Sequence, residues 1–380
     1  MREISLEVRK RRFSNEFSNC MKMVCVICAL VLWAIAIGIL GSSSNAQQVT
    51  PKEAEQFYES LARRYAPVIH QGAASDQDYI TALDFDGDWI GNNNWENQPT
   101  GDLSAYVYYS VIESKTHWFL FYSLFHPRDY TYEDCATSGG CHENDLESIQ
   151  LTVEKDGTPF GKPKTLETLA HDSIYLYTFD ETVGSGFLRV TGMAELEDGH
   201  PLVYVEALGH GIYGHKGGSS SIYFFPRLLG GGTVTYRVGE QAEVPESTKD
   251  ENISYKLIPI YTTLWPRRDN IGDGKTFDRP FEYRGHVLSA SIDGDTFSKD
   301  SANTPWGYKQ ATGATLSRGD WFLDPARAVA FHASFEGDFS LEYASFRNLF
   351  LNSITSDSCK NLFISTILLN CESFIVITII

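Results

Sequence analysis

The chain has 380 residues, 42% hydrophobic and 21% charged, with 49 Asp/Glu against 31 Lys/Arg and a formal net charge of −18. That length and composition supply a sizeable core and exclude the collagen-like, low-complexity and disordered classes. The acidic balance excludes nucleic acid as a natural partner, because phosphate binding needs basic surface; it either favours cations or simply keeps the protein soluble.

Arg9, Lys10, Arg11, Arg12 and Lys22 precede an apolar run from Val24 to Leu40, and Ser44-Asn45-Ala46 fits a small-x-small cleavage signal before Gln47. Residues 1–46 therefore read as a signal peptide, with an uncleaved signal anchor as the alternative. Either places the body outside the cytosol, secreted in the first case and membrane-anchored in the second. Cleavage takes away six Lys/Arg and three Asp/Glu, which leaves 25 basic against 46 acidic side chains, a net −21.

Residues 51–65, "PKEAEQFYESLARRY", place Ala54, Phe57, Leu61 and Tyr65 near helical spacing behind Pro51, which predicts a short amphipathic helix. From there strand signals dominate: 105–113, 117–126, 147–157, 187–196, 202–208, 232–239 and 254–262, separated by loops rich in Gly, Asn, Asp and Ser. "HWFLFYSLFH" (117–126) is apolar on both faces and reads as a central strand, with 105–113 as its antiparallel partner through "SKT". The expected fold is mostly β: a single antiparallel β-sandwich over residues 47–345, with a short N-terminal helix and irregular loops, chiefly between about 215 and 310. "ENIS" offers a glycosylation sequon at Asn252.

Beyond about Tyr343 the composition changes to Ile, Leu, Asn and Ser. Residues 346–380 read as an atypical tail: a removable anchor signal, or translation past an altered splice or frame. Membrane contact is expected only through this tail or the N-terminal segment. In an oxidising compartment Cys135 and Cys141 can close the small loop "CATSGGC" just before His142.

The main chemical signal is His142-x-x-Asp145-x-Glu147. On an extended chain Asp145, Glu147, Ile149, Leu151 and Val153 share one face, so two carboxylates stand at the mouth of an apolar surface, where unpaired charge is costly. With His142 arriving from the preceding turn, an imidazole and two oxygens can meet at one point. Such an oxygen-rich set suits Mg²⁺, Ca²⁺ or Mn²⁺ better than a structural zinc. His126, Asp129 and Asp134 are each available as a fourth ligand, and the plainer alternative pairs Asp145 and Glu147 with Arg128 or Lys155.

"VEALGHGIYGHKGG" carries Glu206, His210 and His215 on a glycine-rich turn, where imidazoles can complete the first site, bind a substrate or transfer protons. His171 and Asp172 in "AHDSIY" make a weaker version of the same suggestion. Asp84, Asp86 and Asp88 alternate in "DFDGDW", either as a partial calcium run or as a solvated acidic face; Trp95 in "GNNNWEN" suits sugar recognition. Nucleophile-elbow, phosphate-loop and dinucleotide motifs do not occur.

"YAPVIHQ", "HWFLFYSLFHPRD", "HENDLE", "GHGIYGH" and "RGDWFLDPA" resemble the vacuolar protein sorting 62-like family and related secreted proteins of unknown function. More remotely, H-x-x-D-x-E preceded by "PRD" is similar to the motif region of the NLP-type necrosis-inducing cytolysins. That resemblance implies a β-sandwich holding a divalent cation through His142, Asp145, Glu147 and, as fourth ligand, Asp129, and binding sphingolipid head groups. The cytolysin heptapeptide becomes Cys-His-Glu-Asn-Asp-Leu-Glu here, with Leu146 in place of the aromatic residue between the acids. The expected function is cation-dependent binding of a glycan or lipid head group. The alternatives are a metal-dependent hydrolase of phosphoryl or acyl substrates using His210 or His215, and a cation that only stabilises the fold.

Overall fold

The structure, a computed structural model, describes residues 51–344 apart from 90, 92, 132–140, 172, 216–223, 268–280, 284–285, 289–304 and 306–317. The expected signal segment, the atypical tail, Asp134, Cys135 and Asp172 lie outside the described residues. The chain divides into two units, Met1–Ala54 and Glu55–Ile380, and every strand belongs to the second.

Helix α1 (Pro51–Arg64) has proline at its first position, Glu53 in its first turn and Arg63 and Arg64 in its last, each suited to the helix dipole. Strand β1 (Val68–Ala73) follows, then a 3₁₀ turn at Asp76–Asp78 and the short helix α2 (Asn94–Asn97). The middle of the chain builds β2 (Tyr106–Glu113), β3 (His117–Asp129), β4 (His142–Glu154), β5 (Lys162–Ala170) and β6 (Ser173–Thr178). Next come β7 (Gly184–Ser185), β8 (Val190–Met193), β9 (Leu196–Glu197), β10 (His200–Val205) and β11 (Ile212–Tyr213). Helix α3 (Phe224–Leu228), β12 (Gly232–Val238), β13 (Ile253–Pro259), the hairpin β14 (Phe281–Tyr283) and β15 (His286–Leu288), α4 (Arg318–Leu323), α5 (Pro325–His332) and β16 (Ala333–Ser334) complete the described chain.

One large sheet runs β11-β10-β1-β12-β13-β2-β3-β4-β5-β6-β8, with β9 paired to β10. The mostly β expectation holds, but the sheet is mixed rather than purely antiparallel. β1 runs parallel to β10, β12 to β13, β13 to β2 and β6 to β8. Parallel neighbours need a long connection instead of a hairpin, and residues 239–252 supply one between β12 and β13.

β3 is buried along almost its whole length between β2 and β4, as its two-sided apolar pattern requires. The β2–β3 hairpin turns through Ser114, whose amide donates to the His117 carbonyl at 2.8 Å. On β4, Ile149, Leu151 and Val153 join the core with Leu120, Tyr122 and Leu124 of β3 and Leu61 of α1. Leu146 faces the other way, against Phe121, Phe125, Trp321 and Phe322. The alternation read from 145 to 153 is therefore the observed one.

β4 begins at His142, earlier than its apolar pattern suggests, so His142 is a ladder residue opposite Asp129 rather than part of a turn. The extension survives because neighbouring elements satisfy its polar side chains. Glu143 accepts from the Trp95 amide at 2.6 Å, and Asn94 donates to Asn144 at 2.8 Å. The hairpin β5–β6 was not anticipated, since β5 buries Lys164 and Glu167; these pair with Asp180 at 2.8 Å and His332 at 3.1 Å.

Candidate metal centre

The β3–β4 register places Asp129 opposite His142, His126 opposite Asp145 and Leu124 opposite Glu147. All four predicted ligands, Asp129, His142, Asp145 and Glu147, thus lie along one end of a single strand pair. His142 Nδ1 is 2.9 Å from the Glu143 carbonyl, an acceptor, so Nδ1 carries the proton. Nε2 then faces the Asp129 carboxylate at 3.7 Å.

Around this strand end the loop after β10 brings His210, and the turn between β5 and β6 brings His171. His210 Nδ1 bonds Asp145 Oδ2 at 2.8 Å and its Nε2 bonds Asp78 Oδ1 at 3.1 Å. Asp78 is saturated: it also accepts from the amides of Ala74, Ser75 and Leu208 and from the Tyr130 hydroxyl. His171 donates its amide to Glu147 Oε1 at 2.9 Å and places Nε2 2.5 Å from Glu206 Oε1. Five carboxylates, of Asp78, Asp129, Asp145, Glu147 and Glu206, thereby gather around the imidazoles of His142, His171 and His210.

The protonation states follow from these contacts. Burial opposes charge on His210, but its bonds to Asp145 and Asp78 outweigh burial and push its pKa up to about 10. The Glu206 bond lifts His171 to about 9. Burial, then the neighbouring Asp145 charge, raises Asp129 to about 7. His126, fully buried and stacked on His210 with ring centroids 3.7 Å apart, is held well below the ordinary histidine range by burial and by the His210 charge.

Backbone strain collects at the same place. Among the described residues five non-glycine residues have positive φ, and Asn144, His171, Leu208 and His210 are four of them. Such conformations cost on the order of 1–3 kcal/mol each and persist where surrounding contacts over-determine them. Here the hydrogen bonds of Leu208, His210 and His171 to Asp78, Asp145 and Glu147 do so, and for Asn144 those of its side chain to Asn94 and Gly91.

Among the described residues, His126, Asp145 and His210 have ligand atoms that all lie within 4.8 Å of one another, a buried group able to hold a metal. The predicted quartet shares only Asp145 with this group: Asp129, His142 and Glu147 are not among the described residues whose ligand atoms meet at that distance. His215 meets the Tyr177 ring edge-on at 5.6 Å and lies over Gly192. The Arg128 guanidinium covers the Trp95 ring, and Lys155 bonds Glu113 at 2.5 Å. Asp86 and Asp88 turn into their own loop, accepting from the side chains of Asn97 at 2.9 Å and Asn93 at 3.3 Å. Cys141 is fully buried at the start of β4.

Asp78, and Gln71, whose Oε1 lies 3.1 Å from His126 Nε2, were not legible as site residues. Asp78 sits in "SDQD", whose pattern signals only a capped turn, with Ser75 as the cap. His210 did carry a signal, the glycines on either side of it.

No family model and no curated protein matches the chain. Two solved structures are similar to part of it. One is described as "Crystal structure of Necrosis and Ethylene inducing Protein 2 from the causal agent of cocoa's Witches Broom disease": 17% identical, covering 52% of this chain and 72% of that one, TM-score 0.28. The other is described as "Toxin fold for microbial attack and plant defense": 13% identical, covering 41% of this chain and 67% of that one, TM-score 0.26. Neither carries the vacuolar protein sorting 62-like description. Among the described residues no helix is long and apolar enough to cross a membrane.

Proposed function

We propose that this is a secreted protein whose β3–β4 strand end holds a divalent cation through Asp129, His142, Asp145 and Glu147 and uses it to bind a glycan or lipid head group. The observation that carries the reading is His142 Nε2 facing Asp129 Oδ2 at 3.7 Å with the His142 proton committed to the Glu143 carbonyl. Two acceptors meet there, and a cation between them satisfies both, with metal–ligand bonds of about 2.0–2.2 Å. The excess of carboxylates over imidazoles around the site supports it, because buried negative charge needs compensation. A cation held by the protein on one side offers its remaining positions to hydroxyl, phosphate or carboxylate oxygens of a ligand.

Binding is favoured over hydrolysis by the state of the histidines. His210 is fully buried with both nitrogens on carboxylates, so it positions Asp145 and does not reach a substrate. His215 packs edge-on against the Tyr177 ring. The Cys135–Cys141 pairing belongs to the same proposal, as a clamp on the approach to His142.

Elemental analysis and melting of the full chain with and without chelator test the cation. Glycan-array and liposome binding, with and without the ion and in Glu147→Gln, test the recognition. Bound metal with ion-dependent ligand capture, lost in the variant without loss of fold, is the expected result. A metal-free protein whose melting ignores chelator overturns the reading.

A further inference from the structure

We infer that His126 supplies a further nitrogen ligand to the cation at Asp145, so that the site takes a borderline transition ion such as Zn²⁺ or Co²⁺ in preference to Ca²⁺ or Mg²⁺. The inference rests on the cation reading above and adds both a ligand and an ion class to it. The sequence motif alone points to an oxygen-rich set suited to hard ions, so the two differ in what they expect the protein to bind.

His126 stands directly opposite Asp145 in the β3–β4 ladder, so the two side chains share one face of the sheet at neighbouring positions. Its ring is fully buried and its Nε2 lies 3.1 Å from Gln71 Oε1. The orientation of that amide is fixed, because Gln71 Nε2 donates to the carbonyls of Gly72 at 3.1 Å and Glu206 at 3.2 Å. Gln71 Oε1 is therefore an acceptor and His126 Nε2 the donor, which leaves the lone pair of the neutral ring on Nδ1. His126 Nδ1 is buried without a hydrogen-bond partner. Buried polar atoms in folded proteins are nearly always satisfied, so an orphan of this kind calls for a ligand.

The surroundings state which ligand. The donor atoms of His126, Asp145 and His210 lie within 4.8 Å of one another. His210 cannot be the second imidazole of a metal site in this arrangement, because both its nitrogens already face carboxylates. Its ring is also parallel to that of His126 at 3.7 Å, with 5° between planes. An ion about 2.1 Å from a nitrogen and in the plane of one ring lies far out of the plane of the other. His210 thus braces Asp145, and His126 Nδ1 is the nitrogen left to coordinate. A metal-bound histidine usually donates its second ring N–H to an oxygen acceptor that fixes the tautomer, and the Gln71 amide oxygen takes that place for His126. His126 Nδ1 beside the Asp145 carboxylate adds nitrogen to the oxygen-rich set read from the sequence, which moves the preference towards borderline transition ions.

The test measures equilibrium binding of Zn²⁺, Co²⁺, Mn²⁺, Ca²⁺ and Mg²⁺ to the full wild-type chain and to His126→Phe. Folding of the variant is checked by circular dichroism. The wild type should prefer Zn²⁺ and Co²⁺, and His126→Phe should lose roughly tenfold or more of that affinity while its Ca²⁺ affinity stays within about twofold. Should His126→Phe fail to fold, the Co²⁺-loaded wild type answers alone: proton NMR should show two hyperfine-shifted imidazole N–H signals, one for each coordinated ring. Unchanged Zn²⁺ and Co²⁺ affinity in the folded variant, or a single shifted imidazole, overturns the role of His126 and leaves the cation reading standing. A wild type that binds none of the five ions overturns both.

Discussion

His210 and Asp145 form a buried ion pair at 2.8 Å, and the far nitrogen of the same imidazole reaches Asp78 at 3.1 Å. The link crosses from the loop after β10 to the first turn after β1 by way of β4, so one residue ties together three parts of the chain. Removing one partner of a buried pair leaves uncompensated charge, at a cost of about 3–5 kcal/mol. His210→Ala should lose that much in urea unfolding, with two carboxylates left facing each other. A loss below about 1 kcal/mol would show that the pair is not formed in solution.

Asn144 has φ of 63°, between Glu143 and the proposed ligand Asp145, and its side chain is bonded on both sides. Its oxygen accepts from Asn94 at 2.8 Å and its nitrogen donates to the Gly91 carbonyl. Asparagine tolerates this backbone conformation; alanine tolerates it less and loses both hydrogen bonds. Asn144→Ala should cost about 2–4 kcal/mol in chemical denaturation. Asn144→Gly should recover the backbone part alone, so equal losses in the two variants would assign the whole effect to the side-chain bonds.

How far these features were readable follows from how each is encoded. The faces of β4 were legible because Ile149, Leu151 and Val153 alternate with residues packed on the other side. The strand end was legible as chemistry, through His142, Asp145 and Glu147, but its extent was not, because the ladder continues through polar residues that α2 satisfies. Mixed strand order was hidden, since parallel and antiparallel neighbours are chosen by connections and not by the strands themselves. Asp78 and Gln71 join the site through contacts with residues far along the chain, which local pattern does not record.

Gly209 lies against the site from the loop side. A Cβ placed there would stand 2.9 Å from His171 Cε1 and 3.7 Å from Asp129 Oδ2. The His171 side chain is 53% exposed and can swing away, so the fold should tolerate Gly209→Ala with about 1 kcal/mol of destabilisation or less. The displaced imidazole should alter cation affinity several-fold, read by calorimetry with Zn²⁺ and with Ca²⁺. Unchanged affinity for both ions would place His171 outside the influence of the centre.

His117 gives the pH dependence of the fold, well away from the cation ligands. It is buried at the start of β3, its ring 4.5 Å from that of Phe339 and 5.8 Å from that of Phe335. Burial lowers its pKa from 6.5 to about 4. The unfolded chain therefore takes up a proton below pH 6.5 that the folded chain refuses until about pH 4, and linkage removes stability as pH falls through that window. Above pH 6.5 both states are neutral at this position and the effect is absent. His117→Phe cannot titrate, so the wild-type stability should fall relative to this variant between pH 6.5 and 4 and run parallel to it above. Measured in chelator to keep cation binding out of the comparison, a constant difference across that range would mean that His117 is hydrated and titrates normally.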